Sequence, residues 1–163
     1  MEKFNQIAEF GKELMALKEM DNALDLISKE AKRLANAERC SIFIVDNEDK
    51  MLWTKLSDGI GRIVIGLDSG IVGDTYGKKE PQIVNNPYED SRFLKNIDKK
   101  SGYETKNMLT VPIFNSKQDV MGVLQLLNKS RIDFDTTDLD TLTFFANYVS
   151  GSLELVLMQE GLN

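Results

Sequence analysis

Residues 107–138, NMLTVPIFNSKQDVMGVLQLLNKSRIDFDTTD, decide the fold of this chain. Two apolar runs, 108–114 and 120–127, flank the polar segment 115–119, the pattern of a β-hairpin closed by a five-residue loop. Both faces of the second run are apolar. Val120, Leu124 and Leu126 share one face with Gly122, while Met121, Val123 and Leu127 share the other with Gln125. Such a strand is expected in the middle of a sheet, covered on both sides. Pro112 cannot donate to a ladder, so an irregularity is expected near it. Gln125 is the odd member of its face: a carboxamide there must bond to backbone, to water or to something held in a cavity.

The 163 residues read as one domain, 1–163, with 42% hydrophobic and 28% charged residues. The net charge of −6 argues against generic nucleic-acid binding or attraction to an anionic membrane, so neither is expected as a partner. One cysteine, Cys40, fits a reducing compartment and a core position. Histidine is absent, which excludes histidine ligation of zinc or haem and any Ser–His or Cys–His catalytic pair within the chain. The acidic residues show no metal-ligand spacing, so no metal and no catalytic residue is expected. No apolar run approaches the roughly 20 residues of a membrane span. The N-terminal segment is amphipathic and unlike a signal peptide, so the expected location is cytoplasmic.

Working outward, residues 3–36 carry a helical period in Ile7, Phe10, Leu14 and Leu17, then Leu24, Ile27, Ala31 and Leu34. The interruption at Met20-Asp21-Asn22 divides it into two helices, the second capped by Asp21 or Asn22. The near-heptad spacing of the first makes residues 1–20 a candidate dimer helix. Residues 40–45, 51–56 and 62–67 read as three strands, with a turn at Asp58-Gly59. Asp68-Ser69-Gly70 opens a helix over 71–78, whose N-terminus is a natural anion site. A short strand over 82–84 leads into a polar stretch, 85–106, in which 89–98 can form a helix. A final helix over 137–160, capped by Thr136 or Thr137, has Leu139, Leu142, Ala146, Val149, Leu153 and Val156 at spacings of three and four. The fold class is therefore α+β.

The order of these segments, AERCSIFIVD, GIVG, SGYETKNMLTVPI, VMGVLQLLNK and FDTTD, resembles the GAF domain, in particular those of cyclic-nucleotide phosphodiesterases and bacterial adenylate cyclases. Asn128, Lys129, Phe134 and Asp138 match the structural signature of that group, and Leu139 stands where it has a glutamate. The resemblance implies a central antiparallel sheet of about six strands, terminal helices on one face, and on the other a ligand pocket capped by loops and short helices. It implies an ion pair between Lys129 and Asp138. By matching position, Ser41 and Asp58 resemble residues that meet a purine, Ile71 and Val72 those whose backbone meets a cyclic phosphate, and Tyr88, Ser101 and Thr105 other wall residues. Gln125 stands where a glutamate is often found, and Ser57 where known binders carry an aromatic ring. The function so implied is a regulatory, non-enzymatic sensor in bacterial signalling. It would bind a small molecule, a cyclic nucleotide among the candidates, and act as a homodimer whose terminal helices drive an output domain. The alternative is a GAF module used for dimerisation alone, with no ligand.

Overall fold

The computed structural model describes residues 2–57 and 63–161, with the backbone alone at Lys3, Phe4, Lys55, Leu56 and Ser57. Helices α1 (Glu2–Met15) and α2 (Met20–Ala35) precede strands β1 (Ala37–Asp46), β2 (Met51–Ser57) and β3 (Val64–Gly66). Helix α3 (Gly70–Lys78), β4 (Gln82–Val84), a single 3-10 turn (Pro87–Glu89) and α4 (Lys95–Ser101) follow. Strands β5 (Met108–Phe114) and β6 (Val120–Lys129) then form the hairpin, and α5 (Thr136–Gln159) closes the domain. The six strands lie in the order β3-β2-β1-β6-β5-β4, every neighbour antiparallel.

The hairpin sits where its two-sided apolarity requires, with β6 between β1 and β5. Its loop is organised by Asn115, whose side-chain oxygen accepts from the Lys117 and Asp119 N–H groups while its own N–H donates to Asp119 O at 2.8 Å. The irregularity falls one residue past Pro112, between Ile113 and Phe114. Pro112 itself pairs with Val123 on β6, and β4 reaches only as far as Thr110. The proline thus sits where β5 has lost one of its two neighbours.

One sheet face carries Cys40, Ile42, Ile44, Leu109, Val111, Ile113, Leu124 and Leu126 against α1, α2 and α5 in the main core. The apolar stripe of α1 belongs to this core: Ile7, Phe10 and Leu14 are buried, and the Phe10 and Phe145 rings meet at 5.4 Å. The opposite face carries Ser41, Phe43, Val123, Gln125 and Thr110 in cross-strand register beneath α3.

Three boundaries differ from the sequence reading. Helix α2 starts at Met20 with Glu19 as its cap residue, so Asp21 and Asn22 lie inside the first turn. Helix α5 is capped one residue before Thr136: Asp135 accepts from the Asp138 N–H at 2.9 Å, and Asp138 accepts in return from the Asp135 N–H at 3.0 Å. A carboxylate paired reciprocally across a capping box outcompetes a threonine hydroxyl. The helix expected over 89–98 is displaced to Lys95–Ser101, because the Asp90 carboxylate accepts from the Arg92 N–H at 2.9 Å and folds the chain into a local turn. The expected Asp58-Gly59 turn and residue 62 of the third strand lie outside the described residues.

Candidate functional site

A cavity of about 40 Å³ lies between the second sheet face and the segment 92–105. The sheet supplies Phe43, Met108, Gln125 and Leu127, α3 supplies Gly70, Ile71 and Val72, and the overlying segment supplies Phe93, Leu94, Ile97, Asp98 and Thr105. That volume holds a few waters. The half-buried Gln125 carboxamide makes no side-chain hydrogen bond among the described residues. It brings a donor and an acceptor to a lining that is otherwise apolar on the sheet side.

Two glycines set α3 against this cavity. Gly70 takes φ +68° at the first helical position, a conformation costly for a side-chain-bearing residue. At Gly73 a Cβ would come within 2.7 Å of the Asp68 backbone carbon and 2.8 Å of Leu67 O, so glycine permits the close approach of helix and preceding turn. The resulting first turn faces the cavity with N–H groups that have no intrahelical acceptor.

Asp98 is the polar centre of the overlying segment. Its buried carboxylate accepts from the Thr105 N–H at 2.7 Å, the Thr105 hydroxyl at 2.8 Å and the Tyr88 hydroxyl at 2.7 Å. The bond to Asp98 pushes the Tyr88 phenol up to about 12, with burial and the carboxylate's charge acting in the same direction. Ile71, Val72, Thr105 and Gln125 are therefore brought together at the cavity as expected. Tyr88 and Ser101 are not. Tyr88 is 43% exposed and does not line the cavity, although its hydroxyl reaches Asp98 and its ring lies 5.1 Å from that of Phe93. Ser101 lies on the outer side of α4, where its hydroxyl donates to Asp98 O at 3.3 Å and accepts from the Tyr103 N–H. Ser41 is buried, in register beside Gln125, without lining the cavity. Asp58 lies outside the described residues.

Sequence reasoning missed Asp98 and also Arg92. The Arg92 guanidinium donates to Asp90 through Nε at 2.9 Å and Nη2 at 2.6 Å, and through Nη1 to Asp74 at 2.6 Å and Gln82 Oε1 at 2.7 Å. The Arg92 hydrogen bond holds the Asp90 carboxyl down at about 2 against the effect of burial. Burial pushes the Asp74 carboxyl up, but bonds from Lys78, Gln82 and Arg92 together leave it below its ordinary value. Gln82 also donates to Thr75 Oγ1 at 3.0 Å, and Thr75 meets Thr110 at 2.7 Å, the residue that pairs with Gln125 across the ladder. Among the described residues, no group of three or more Cys, Asp or Glu side chains is placed to hold a metal ion. No described helix is long and apolar enough to cross a membrane.

Comparison with known proteins gives this geometry its context. The family model described as GAF domain matches residues 19–153. The chain belongs to the GAF family. The domain is 31% identical over 143 residues to a probable 3′,5′-cyclic phosphodiesterase of Caenorhabditis elegans. It is 36% identical over 138 residues to a dual 3′,5′-cyclic-AMP and -GMP phosphodiesterase of Takifugu rubripes. These matches cover 79% and 72% of this chain but only 20% and 15% of the two phosphodiesterases. Among solved structures, the GAF domain of an Acinetobacter phosphoenolpyruvate-protein phosphotransferase superposes with a TM-score of 0.81 at 20% identity. That superposition covers 99% of this chain and 98% of the other, and shows the shared fold. As a GAF domain with phosphodiesterase relatives, the chain is a regulatory domain of the small-molecule-sensing kind.

The signature residues of this GAF domain form the joint between β6 and α5. Asn128, next to last in β6, takes φ +59°, a left-handed conformation that asparagine tolerates. Its carboxamide oxygen accepts from the Lys106 N–H at 2.6 Å, and its Nδ2 donates to Glu104 O at 2.9 Å. Lys129 Nζ lies 2.5 Å from Asp138 Oδ2, both side chains largely buried, so the strand end is tied to the first turn of α5. A pair so placed fixes geometry more surely than it adds net stability. Phe134 is buried in the main core, with its N–H and C=O both held by the Asn85 carboxamide. Leu139, in the glutamate position, packs partly buried against the same core.

Proposed function

We propose that this GAF domain is the sensor of a cytoplasmic bacterial signalling protein. It binds a small molecule in the cavity beneath residues 92–105 and passes occupancy to an output domain through α1 and α5, paired with a second copy. A cyclic nucleotide is the first ligand class to test, because the relatives named above are cyclic-nucleotide phosphodiesterases. The observation that carries the reading is Gln125, which lines the cavity with Asp98 and Thr105 and makes no side-chain hydrogen bond among the described residues. A carboxamide so placed can both donate to and accept from a bound molecule. The exposed face of α5, with Phe144, Tyr148, Leu155 and Met158, supports pairing with a second copy.

The second reading, a GAF domain serving dimerisation alone, is favoured by Phe93, Leu94 and Ile97, which line the cavity and leave it only about 40 Å³. A thermal-shift titration with cyclic AMP, cyclic GMP and a metabolite panel, beside Gln125→Leu, separates the two. A ligand at a hundredfold excess over its dissociation constant adds about 2.7 kcal/mol of stability. The sensor reading expects a shift that Gln125→Leu abolishes. A well-folded protein that shifts with no compound favours the dimerisation module.

A further inference from the structure

The loop that closes the β5–β6 hairpin carries a chemically labile pair of residues, Asn115-Ser116. An asparagine loses its side-chain nitrogen when the backbone N of the next residue gives up its proton and attacks the asparagine Cγ. The five-membered ring so formed expels ammonia. Water then opens it, either to aspartate or to isoaspartate, in which the main chain runs through the former side chain. A bulky side chain on the following residue hinders the attack, whereas glycine or serine permits it. No asparagine of this chain precedes glycine, and Asn115 alone precedes serine.

In the folded domain both reacting groups are held. The Asn115 carboxamide oxygen accepts from the Lys117 N–H at 2.9 Å and the Asp119 N–H at 3.0 Å, which fixes the electrophile against its own loop. The Asn115 backbone is fixed as well, its N–H donating to Asp119 O and its C=O accepting from the Gln118 N–H. The nucleophile is held from outside the loop. Ser116 N–H donates to Glu154 Oε1 at 2.8 Å, and the Ser116 hydroxyl donates to Oε2 at 2.9 Å. Among the described residues, Glu154 of α5 is the only side chain from beyond 115–119 that hydrogen-bonds to this loop.

We infer that Asn115 is the deamidation site of this chain and that Glu154 is its guard. Ring closure requires the Ser116 N to turn towards Cγ and to lose its proton. The carboxylate opposes both, because it accepts the hydrogen bond of that proton and because its charge disfavours a second negative charge on the nitrogen beside it. Parting the later turns of α5 from the hairpin loop therefore starts the reaction. The product then makes the parting permanent: isoaspartate lengthens the main chain at residue 115 and removes the carboxamide that shapes the loop, so Ser116 no longer meets Glu154. This chemistry is independent of whether the cavity takes a ligand.

The chain, Glu154→Ala and Glu154→Gln are incubated folded in mildly alkaline buffer, beside the unmodified chain unfolded in guanidinium chloride. Peptide mass spectrometry with an isoaspartate methylation assay follows each asparagine. In the unfolded chain Asn115 reacts first. Folding slows it, and Glu154→Ala restores roughly a tenfold gain in rate, the scale of one charge-assisted hydrogen bond. Glu154→Gln, which keeps an acceptor for the N–H without the charge, falls between the two. Asn22 and Asn36, each followed by alanine, keep their folded-state rates in both variants and so distinguish loss of the guard from general loosening. Another asparagine reacting first in the unfolded chain overturns the inference. So does a rate at Asn115 that Glu154→Ala leaves unchanged or lowers, or an acceleration that Asn22 and Asn36 share.

Discussion

Asp90 and Arg92 are two residues apart, and each is what the other requires. A carboxylate turning back on its own chain would ordinarily titrate near 3.9. The guanidinium that forks onto it holds it at about 2 instead. A folded-state value below the unfolded one means that this pair's contribution is fully present above about 3.9 and is lost as pH falls through about 2. Carbon-13 titration of the Asp90 carboxyl should show this depressed midpoint, and Arg92→Gln should return it towards 3.9. A midpoint that stays near 2 in the variant would transfer the cause to the backbone N–H of residue 92. Neither Arg92 nor Asp98 was legible in the sequence, for one reason. Both sit in a polar stretch without apolar period, and their importance comes from partners at Asp74, Gln82 and Thr105 that only the fold brings near. The family resemblance offered Tyr88 and Thr105 as wall residues of a pocket; in the structure both hydrogen-bond to Asp98, and of the two only Thr105 lines the cavity.

At the scale of elements, α3 shows how two glycines three and seven residues into one short helix segment differ. Gly73 is pressed against the backbone of residues 67 and 68, whereas a Cβ at Gly77 would meet nothing within 4 Å. Gly73→Ala should destabilise the domain by about 1–3 kcal/mol through overpacking against a backbone that cannot rotate aside. Gly77→Ala should stabilise it by about 0.5–1 kcal/mol by restricting the unfolded chain and improving helix propensity. Urea unfolding checks both, with opposite shifts in midpoint and an unchanged slope; equal effects from the two would show that propensity alone governs α3. Asp68-Ser69-Gly70 announced the helix start without marking Gly73 as indispensable, since a close approach by backbone from another turn leaves no mark in the sequence. The hairpin was legible because two-sided apolar runs, a polar loop and length all agree over 108–127. The cap of α5 was misplaced by one or two residues because adjacent cap formers compete and the Asp135–Asp138 hydrogen bonds decide, and that of α2 by two or three, where Glu19 takes the cap position without a side-chain bond.

At the scale of the whole molecule, the sheet has one face for the cavity and one for the helices, and the helix layer is left with an apolar outer surface. Phe144, Tyr148, Gly151, Leu155 and Met158 are all exposed on α5 and follow one another at spacings of four, three, four and three. This is the spacing that a two-stranded coiled coil would use, on a helix whose other side is already buried at Leu142, Phe145, Val149, Leu153 and Val156. Between residues 141 and 153 the helix carries no charged residue, so its outer face lacks the charges that usually keep a solvent-exposed helix solvated. A second copy is the occupant that needs no further chemistry, because a two-fold axis sets the stripe against itself. Tyr148 is also packed on Gly11 of α1, so pairing along α5 would carry α1 with it. Leu155 is the position to test: it is 61% exposed, and a charge there should disturb the stability of a single copy by no more than about 0.5 kcal/mol. Sedimentation at about 50 µM, enough to populate a dimer of micromolar affinity, should give a dimer for the unmodified chain and a monomer of unchanged far-ultraviolet dichroism for Leu155→Glu. A dimer that survives Leu155→Glu would place the interface elsewhere. A chain already monomeric would remove pairing along this stripe from the proposed reading.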